Sequence, residues 1–116
     1  DSGRHGRTML GGSLMIARTW RGRVAAGKGH EYLGVVGRTG LRDSRATPGN
    51  RGFYVMQRPA GDHDEILTVS LWADADAIRA FAGDDISRAV FYPEDDDHLT
   101  WRDPHADHWE IVGDVE

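Results

Sequence analysis

The spacing of apolar positions changes along the chain, and the changes divide it into elements. Residues 14–21, Leu-Met-Ile-Ala-Arg-Thr-Trp-Arg, are short, carry β-branched and aromatic groups and stop at Gly22, which predicts a first strand. From residue 24 to residue 41 the period becomes helical, with Tyr32, Val35, Val36 and Thr39 on one face. Gly27, Gly29, Gly34 and Gly37 each weaken that helix by about 1 kcal/mol relative to alanine, so tertiary packing must hold it. Residues 42–50, ending in Thr47-Pro48-Gly49-Asn50, have the composition of a loop. Residues 52–58 predict a second strand, 59–64 a hairpin connection and 65–72 a third strand. A helical stripe follows at Ala77, Ile78, Phe81 and Ala82, with Asp74 or Asp76 as its cap and Gly83 as its stop. Asp84 or Asp85 then starts a second helical piece over 86–91, which Pro93 ends. Residues 94–97 are an acidic loop, and residues 105–112 supply a last strand through Trp109, Ile111 and Val112.

The resulting order, β-α-β-β-α-β, predicts an α+β protein of the ferredoxin-like kind: a four-stranded antiparallel sheet with two helices on one face. Alternation on the third strand puts Leu67, Val69 and Leu71 on one side and Ile66, Thr68, Ser70 and Trp72 on the other. Phe53 and Val55 separate from Tyr54 and Met56 in the same way on the second strand. Both faces therefore carry apolar groups. The chain's own helices cover one, and a second copy related by a two-fold axis covers the other. The expected assembly is a homodimer in which two sheets close into a dimeric α/β barrel.

Composition narrows the function classes. A chain of 116 residues is one domain by length, with a modest core. Residues 14–116 form that domain, and the glycine-rich, aperiodic residues 1–13 are expected to be a disordered or tag-like extension. The absence of cysteine excludes disulfides and thiolate metal sites and fits a cytoplasmic setting. A formal charge of −5 argues against nucleic acid as a partner, and no apolar run approaches the roughly 18–20 residues that span a membrane.

Residues 71–81, Leu-Trp-Ala-Asp-Ala-Asp-Ala-Ile-Arg-Ala-Phe, carry the most specific signal: a strand that ends in tryptophan and turns at once into a helix. Together with Met15-Ile16-Ala17-Arg18, the loop Thr47-Pro48-Gly49-Asn50 and the element order, this stretch resembles the antibiotic biosynthesis monooxygenase domain family of the dimeric α/β-barrel group. The resemblance runs from Met15 to Val112. It implies a small-molecule pocket between sheet and helices, with Trp72 at its wall. It also implies two chemistries. Some relatives oxidise aromatic polyketides with molecular oxygen and no flavin or metal; others cleave haem. The polyketide-oxidising relatives use an asparagine four residues before the tryptophan, where this chain has Thr68. The haem-cleaving relatives use a histidine where this chain has Phe91, and an asparagine on the first strand where it offers Arg18, Thr19 or Trp20.

The expected function is a cofactor-independent monooxygenase acting on a small aromatic or enolic substrate. The alternative is a non-catalytic small-molecule-binding or accessory protein of the same fold; haem binding or degradation ranks below both. A cofactor-free oxygenase leaves the electronic work to its substrate, and the protein supplies a dry slot, a proton acceptor and stabilisation of the developing anion. Trp72, Thr68 and Arg18 are the catalytic candidates. Trp72 could stack on a flat ring, Thr68 could bond a quinone oxygen, and Arg18 could hold an enolate or carboxylate. Trp20, Ser70, Phe91 and His30 are the substrate-binding candidates. Core packing, backbone hydrogen bonds and surface ion pairs are the bland alternatives for these same residues. No metal site is expected, because His105 and His108 lie three apart on a predicted strand and so on opposite faces. No phosphate loop or nucleophile elbow occurs.

Overall fold

The computed structural model describes residues 15–113, so the extension expected over residues 1–13 lies outside the described residues. The elements run β1 (Ile16–Ala25), α1 (Gly29–Gly37), α2 (Gly40–Ala46), β2 (Asn50–Pro59), β3 (His63–Trp72), α3 (Ala75–Ala82), a 3-10 helix (Pro93–Asp97), β4 (Leu99–Arg102) and β5 (Asp107–Glu110). The fold is α+β and ferredoxin-like. Its antiparallel sheet is open, in the order β2-β3-β1, with β4 and β5 both pairing with the outer edge of β1. Five strands thus occupy four positions. β5 pairs with Ile16 to Thr19 and β4 with Gly22 to Val24, and the chain between them turns out of the ladder.

Several boundaries differ from the sequence expectation, each for a physical reason. β1 runs through Gly22 to Ala25 because the missing side chain makes room for Trp20: a Cβ at Gly22 would lie 2.5 Å from the far edge of that indole. Val24, expected to open a helix, is instead a fully buried strand residue. The expected long helix is two helices, broken at Arg38-Thr39, and α2 occupies most of the expected loop. Tyr32, Val35, Val36 and Thr39 are nonetheless all buried, as their spacing requires. Asp64, from β3, accepts the Gly27 and Gly29 amides and so caps α1 from another strand. Asp74 caps α3, accepting the Ala77 amide at 2.8 Å, and Gly83 ends that helix at φ +94°.

No regular helix forms at 86–91. That stretch bridges to the chain before β5, with Ala89 N–H donating to the Pro104 carbonyl and Ala106 N–H to that of Ser87. The acidic residues 94–97 are not a loop but lie in the 3-10 helix, which Pro93 starts and Asp95 caps by accepting the Tyr92 amide. The last strand is shorter than expected, and β4 has no counterpart in the sequence expectation.

All three α-helices cover the same face of the sheet. Val24, Ile66, Tyr32, Val35 and Val36 form one buried cluster there; Trp72, Ala77 and Ile78 form a second. Among the described residues, no helix is long and apolar enough to cross a membrane.

Candidate functional site

Between the two clusters the covered face is not filled. Its inward positions on β1 and β3 are Arg18, Trp20, Thr68 and Ser70, set opposite one another by the ladder: Arg18 faces Ser70 and Trp20 faces Thr68. These are the middle rungs, where a simple core would carry aliphatic groups. They form the floor of a cavity that opens to solvent. Phe53 of β2 extends the floor; Tyr32, Val36 and Thr39 of α1 and the turn after it, with Phe81 of α3, form the roof. Ala89, Val90 and Tyr92 close one side. The mixture of aromatic walls with a few polar groups suits a small organic ligand.

Arg18 is the only charged floor residue, and it is 6% exposed. Its Nη1 donates to the Ile86 carbonyl at 2.6 Å and meets His108 Nε2 at 2.9 Å, while Nη2 donates to the Arg88 carbonyl at 3.0 Å. Those carbonyls are free to accept because residues 86–91 are not helical. Among the described residues, no carboxylate pairs with this guanidinium, and burial alone holds its pKa down to about 10, still fully charged at neutral pH. Burial, and then the neighbouring Arg18 charge, lower the His108 pKa, which favours the neutral imidazole that can accept from Arg18.

Trp72 stands one layer behind the wall. It is fully buried, stacks on Phe81 with ring centres 5.6 Å apart, and donates its indole N–H to Ser70 Oγ at 2.8 Å. Both of its partners line the cavity. Since Ser70 accepts from Trp72, its own hydroxyl proton is left to donate elsewhere. Trp20 is fixed by donating to the Asp103 carbonyl at 2.8 Å, and Phe91 packs edge-on against it at 6.2 Å. Phe91 lies at the surface beneath the Arg102 guanidinium, beside the cavity rather than in its lining. His30 is exposed on α1 and is likewise outside the lining. The structure therefore gathers Arg18, Trp20, Thr68 and Ser70 around one space, reaches Trp72 through Ser70 and Phe81, and leaves His30 apart.

Two polar groups of the site escaped the sequence. Asp95, 4% exposed, accepts the Tyr32 hydroxyl at 2.8 Å and the Tyr92 amide at 2.8 Å. Burial, and then the charge and hydrogen bond of Asp95, push the Tyr32 pKa up, so the phenol keeps its proton. Tyr92 is held similarly: burial, then its bond to Asp43 at 2.8 Å, raises its pKa. The signal for Asp95 was the Tyr-Pro-Glu-Asp run, in which an acid three positions after the cap can close the helix start. His108 left no such signal, because its partner is 90 residues away in sequence. Among the described residues, no cluster of three or more potential ligands could hold a metal ion.

The comparisons with known proteins agree with this architecture. A candidate antibiotic biosynthesis monooxygenase from Bacillus cereus is similar with a TM-score of 0.62 at 14% identity, over 89% of this chain and 98% of that one. SnoaB, a cofactor-independent oxygenase from Streptomyces nogalater, is similar with a TM-score of 0.57 at 17% identity, over 90% and 97%. The haem degrader MhuD from Mycobacterium tuberculosis, solved with two haems in its active site, is similar with a TM-score of 0.57 at 20% identity, over 88% and 99%. No curated protein matches the sequence. At these identities the solved structures speak for the fold. The family model for antibiotic biosynthesis monooxygenases matches residues 15–91, and the chain belongs to that family.

Proposed function

We propose that the cavity binds a small, flat aromatic or enolic substrate and oxygenates it with molecular oxygen, without a flavin or metal. The observation that carries this reading is the inversion of the covered sheet face. Arg18, Thr68 and Ser70 occupy rungs that would otherwise be apolar, and the aromatic rings of Trp20, Phe53 and Phe81 surround the space beside them. A phenol or enol that ionises there donates an electron to oxygen, and the two radicals combine at carbon. Loss of water from the resulting hydroperoxide leaves a carbonyl. The balance is CH₂ + O₂ → C=O + H₂O, with the substrate as the sole reductant.

The residues divide the work by position. Arg18 stabilises the oxyanion, Thr68 offers its hydroxyl to the opposite oxygen, and Trp20 and Ser70 hold the ring in place. Trp72 acts on the substrate through Ser70, by fixing which way that hydroxyl points. Phe91 supports Trp20 from outside, and His30, exposed on α1 and outside the lining, takes no part. Phe91 has no atom that could ligate iron, so no haem step belongs to this reading.

A homodimer is part of the proposal. The uncovered face of the sheet carries Tyr54 at 58%, Met56 at 44%, Trp101 at 43% and Trp109 at 61% exposure, flanking Leu67, Val69 and Leu71. A second copy seated there closes the barrel and leaves both cavities open on the helix side. Residues 14–116 act as one such unit, and a cytoplasmic setting fits the lack of cysteine.

The test is oxygen uptake by the purified, metal-stripped protein with electron-rich phenols and enols. We expect one O₂ consumed per product formed, with no peroxide released. Bound substrates that never consume oxygen would leave a binding protein in place of an enzyme.

A further inference from the structure

We infer that the Arg18–Ser70 corner of the cavity is a carboxylate-binding subsite, so the natural ligand is a ring acid rather than a neutral phenol or enol. The inference rests on the cavity being the substrate site, as proposed above, but not on turnover.

A guanidinium that is 6% exposed normally has an acid beside it, because an unpaired buried charge is costly. Here every partner is neutral: two carbonyl oxygens and an imidazole whose ring accepts. Asp95, the buried acid that also lines the cavity, is occupied by Tyr32 and Tyr92 and exerts no resolved effect on Arg18. Three of the five guanidinium N–H groups have partners; among the described residues the Nε–H and one Nη2–H have none. Two N–H groups on adjacent nitrogens suit a carboxylate.

Ser70 lies directly across the ladder from Arg18, 4% exposed and in the cavity wall. The Trp72 indole N–H is donated to Ser70 Oγ at 2.8 Å, so the serine presents a donor rather than an acceptor. Among the described residues that donor has no acceptor. Two side chains opposed on the ladder and lining one cavity thus carry unpaired donors, and a carboxylate, with two acceptor oxygens, satisfies both. The rest of the wall, Trp20, Phe53 and Phe81, sets the remainder of the ligand: flat and apolar.

The experiment is calorimetric titration of the full chain, without oxygen, using 1-hydroxy-2-naphthoate and its methyl ester. The acid is expected to bind at least about 10-fold more tightly, the range for hydrogen bonds to a charged group. R18Q should lower the acid's affinity about 10- to 100-fold and S70A about 5-fold, with the ester weakened several-fold less by each. W72F, which keeps an aromatic ring but removes the pyrrole with its N–H, should cost about 2-fold for the acid. Because Arg18 also holds two loop carbonyls, R18Q could unfold that wall. R18K, which keeps the charge and loses the fork, and S70A, which touches no loop, decide the matter then. Equal affinity for acid and ester, or variants that weaken both alike, would overturn the subsite and leave Arg18 as an anchor for residues 86–88. Acid selectivity without oxygen uptake by any phenol would sustain the subsite and end the oxygenase reading. Oxygen uptake with no preference for the acid would do the reverse.

Discussion

The two faces of the sheet share the same central strands but bury opposite kinds of residue. Under the helices, β1 and β3 place Arg18, Trp20, Thr68 and Ser70 in the middle rungs, with aliphatic groups above and below. On the bare side β3 carries Leu67, Val69 and Leu71, edged by Tyr54 and Met56 from β2 and by Trp109 opposite Ala17 on β1, while β1 adds Thr19, Arg21 and Arg23. A monomer built for stability alone would reverse this, with polar rungs facing water and apolar rungs inside. The covered face gives up packing to keep a polar hollow. The bare face has apolar area that nothing in one chain covers, and patches of that kind mark contact surfaces. Chemistry and assembly are thereby assigned to opposite sides of one layer, and each can be disturbed without the other.

The strongest disturbance is expected on the bare side. V69E sets a carboxylate at the centre of the proposed dimer contact, where it would be buried without a partner. Sedimentation should show monomer in place of dimer, while ring acids still bind, because Val69 points away from the cavity. A monomeric wild type would refute the contact outright. Next in size is W72A on the covered side. Removing a fully buried indole should cost about 3–5 kcal/mol in urea unfolding, a loss that W72F largely avoids. Y32F comes third. It leaves the buried Asp95 carboxylate without its phenol donor and should cost about 1–3 kcal/mol. Its pH signature is distinct. The folded Tyr32 pKa is raised, so its stabilisation is complete below the ordinary tyrosine value of 10.0 and is lost as pH climbs from there through the raised folded value; Y32F should flatten that alkaline decline.

How much of this was legible in the sequence differs between the same two regions. The sheet was legible because a strand's period is two: once Ile66 faces in, Thr68, Ser70 and Trp72 follow, and Leu67, Val69 and Leu71 must face out. The face of α1 was legible from the spacing of Tyr32, Val35, Val36 and Thr39. The cavity's side wall was not. Residues 86–91 have helical composition, but the Ile86 and Arg88 carbonyls accept from Arg18, the Ser87 carbonyl accepts from the Ala106 amide and the Ala89 amide donates to the Pro104 carbonyl, contacts with segments outside the stretch. β4 is four residues long, too short for alternation to register, and is held by β1. Trp72 shows the remaining limit. Periodicity gives the face of the sheet but not the depth, and the indole turned towards Ser70 and Phe81 instead of the open space.

The smallest effect concerns His108, and it separates the role of the imidazole from that of the charge it supports. The folded His108 pKa lies below the ordinary value of 6.5. The unfolded chain therefore binds its proton first, and stability is complete above pH 6.5 and declines as pH falls from there through the depressed folded value. Protonation would also turn the Nε2 that meets Arg18 Nη1 at 2.9 Å from acceptor to donor and place two cations side by side. Asp107 next to it in sequence acts weakly in the opposite sense and does not reverse the sign. Urea unfolding between pH 5 and 7 should show a shallow acid-side loss that H108Q removes, since glutamine can still accept from Arg18 but does not titrate. Carboxylates such as Asp43 and Asp85, whose pKa values are lowered, titrate below this window, and comparison with H108Q separates His108 from the chain's other histidines. If the loss persists unchanged in H108Q, the imidazole does not hold the guanidinium in place, and the Ile86 and Arg88 carbonyls alone orient Arg18.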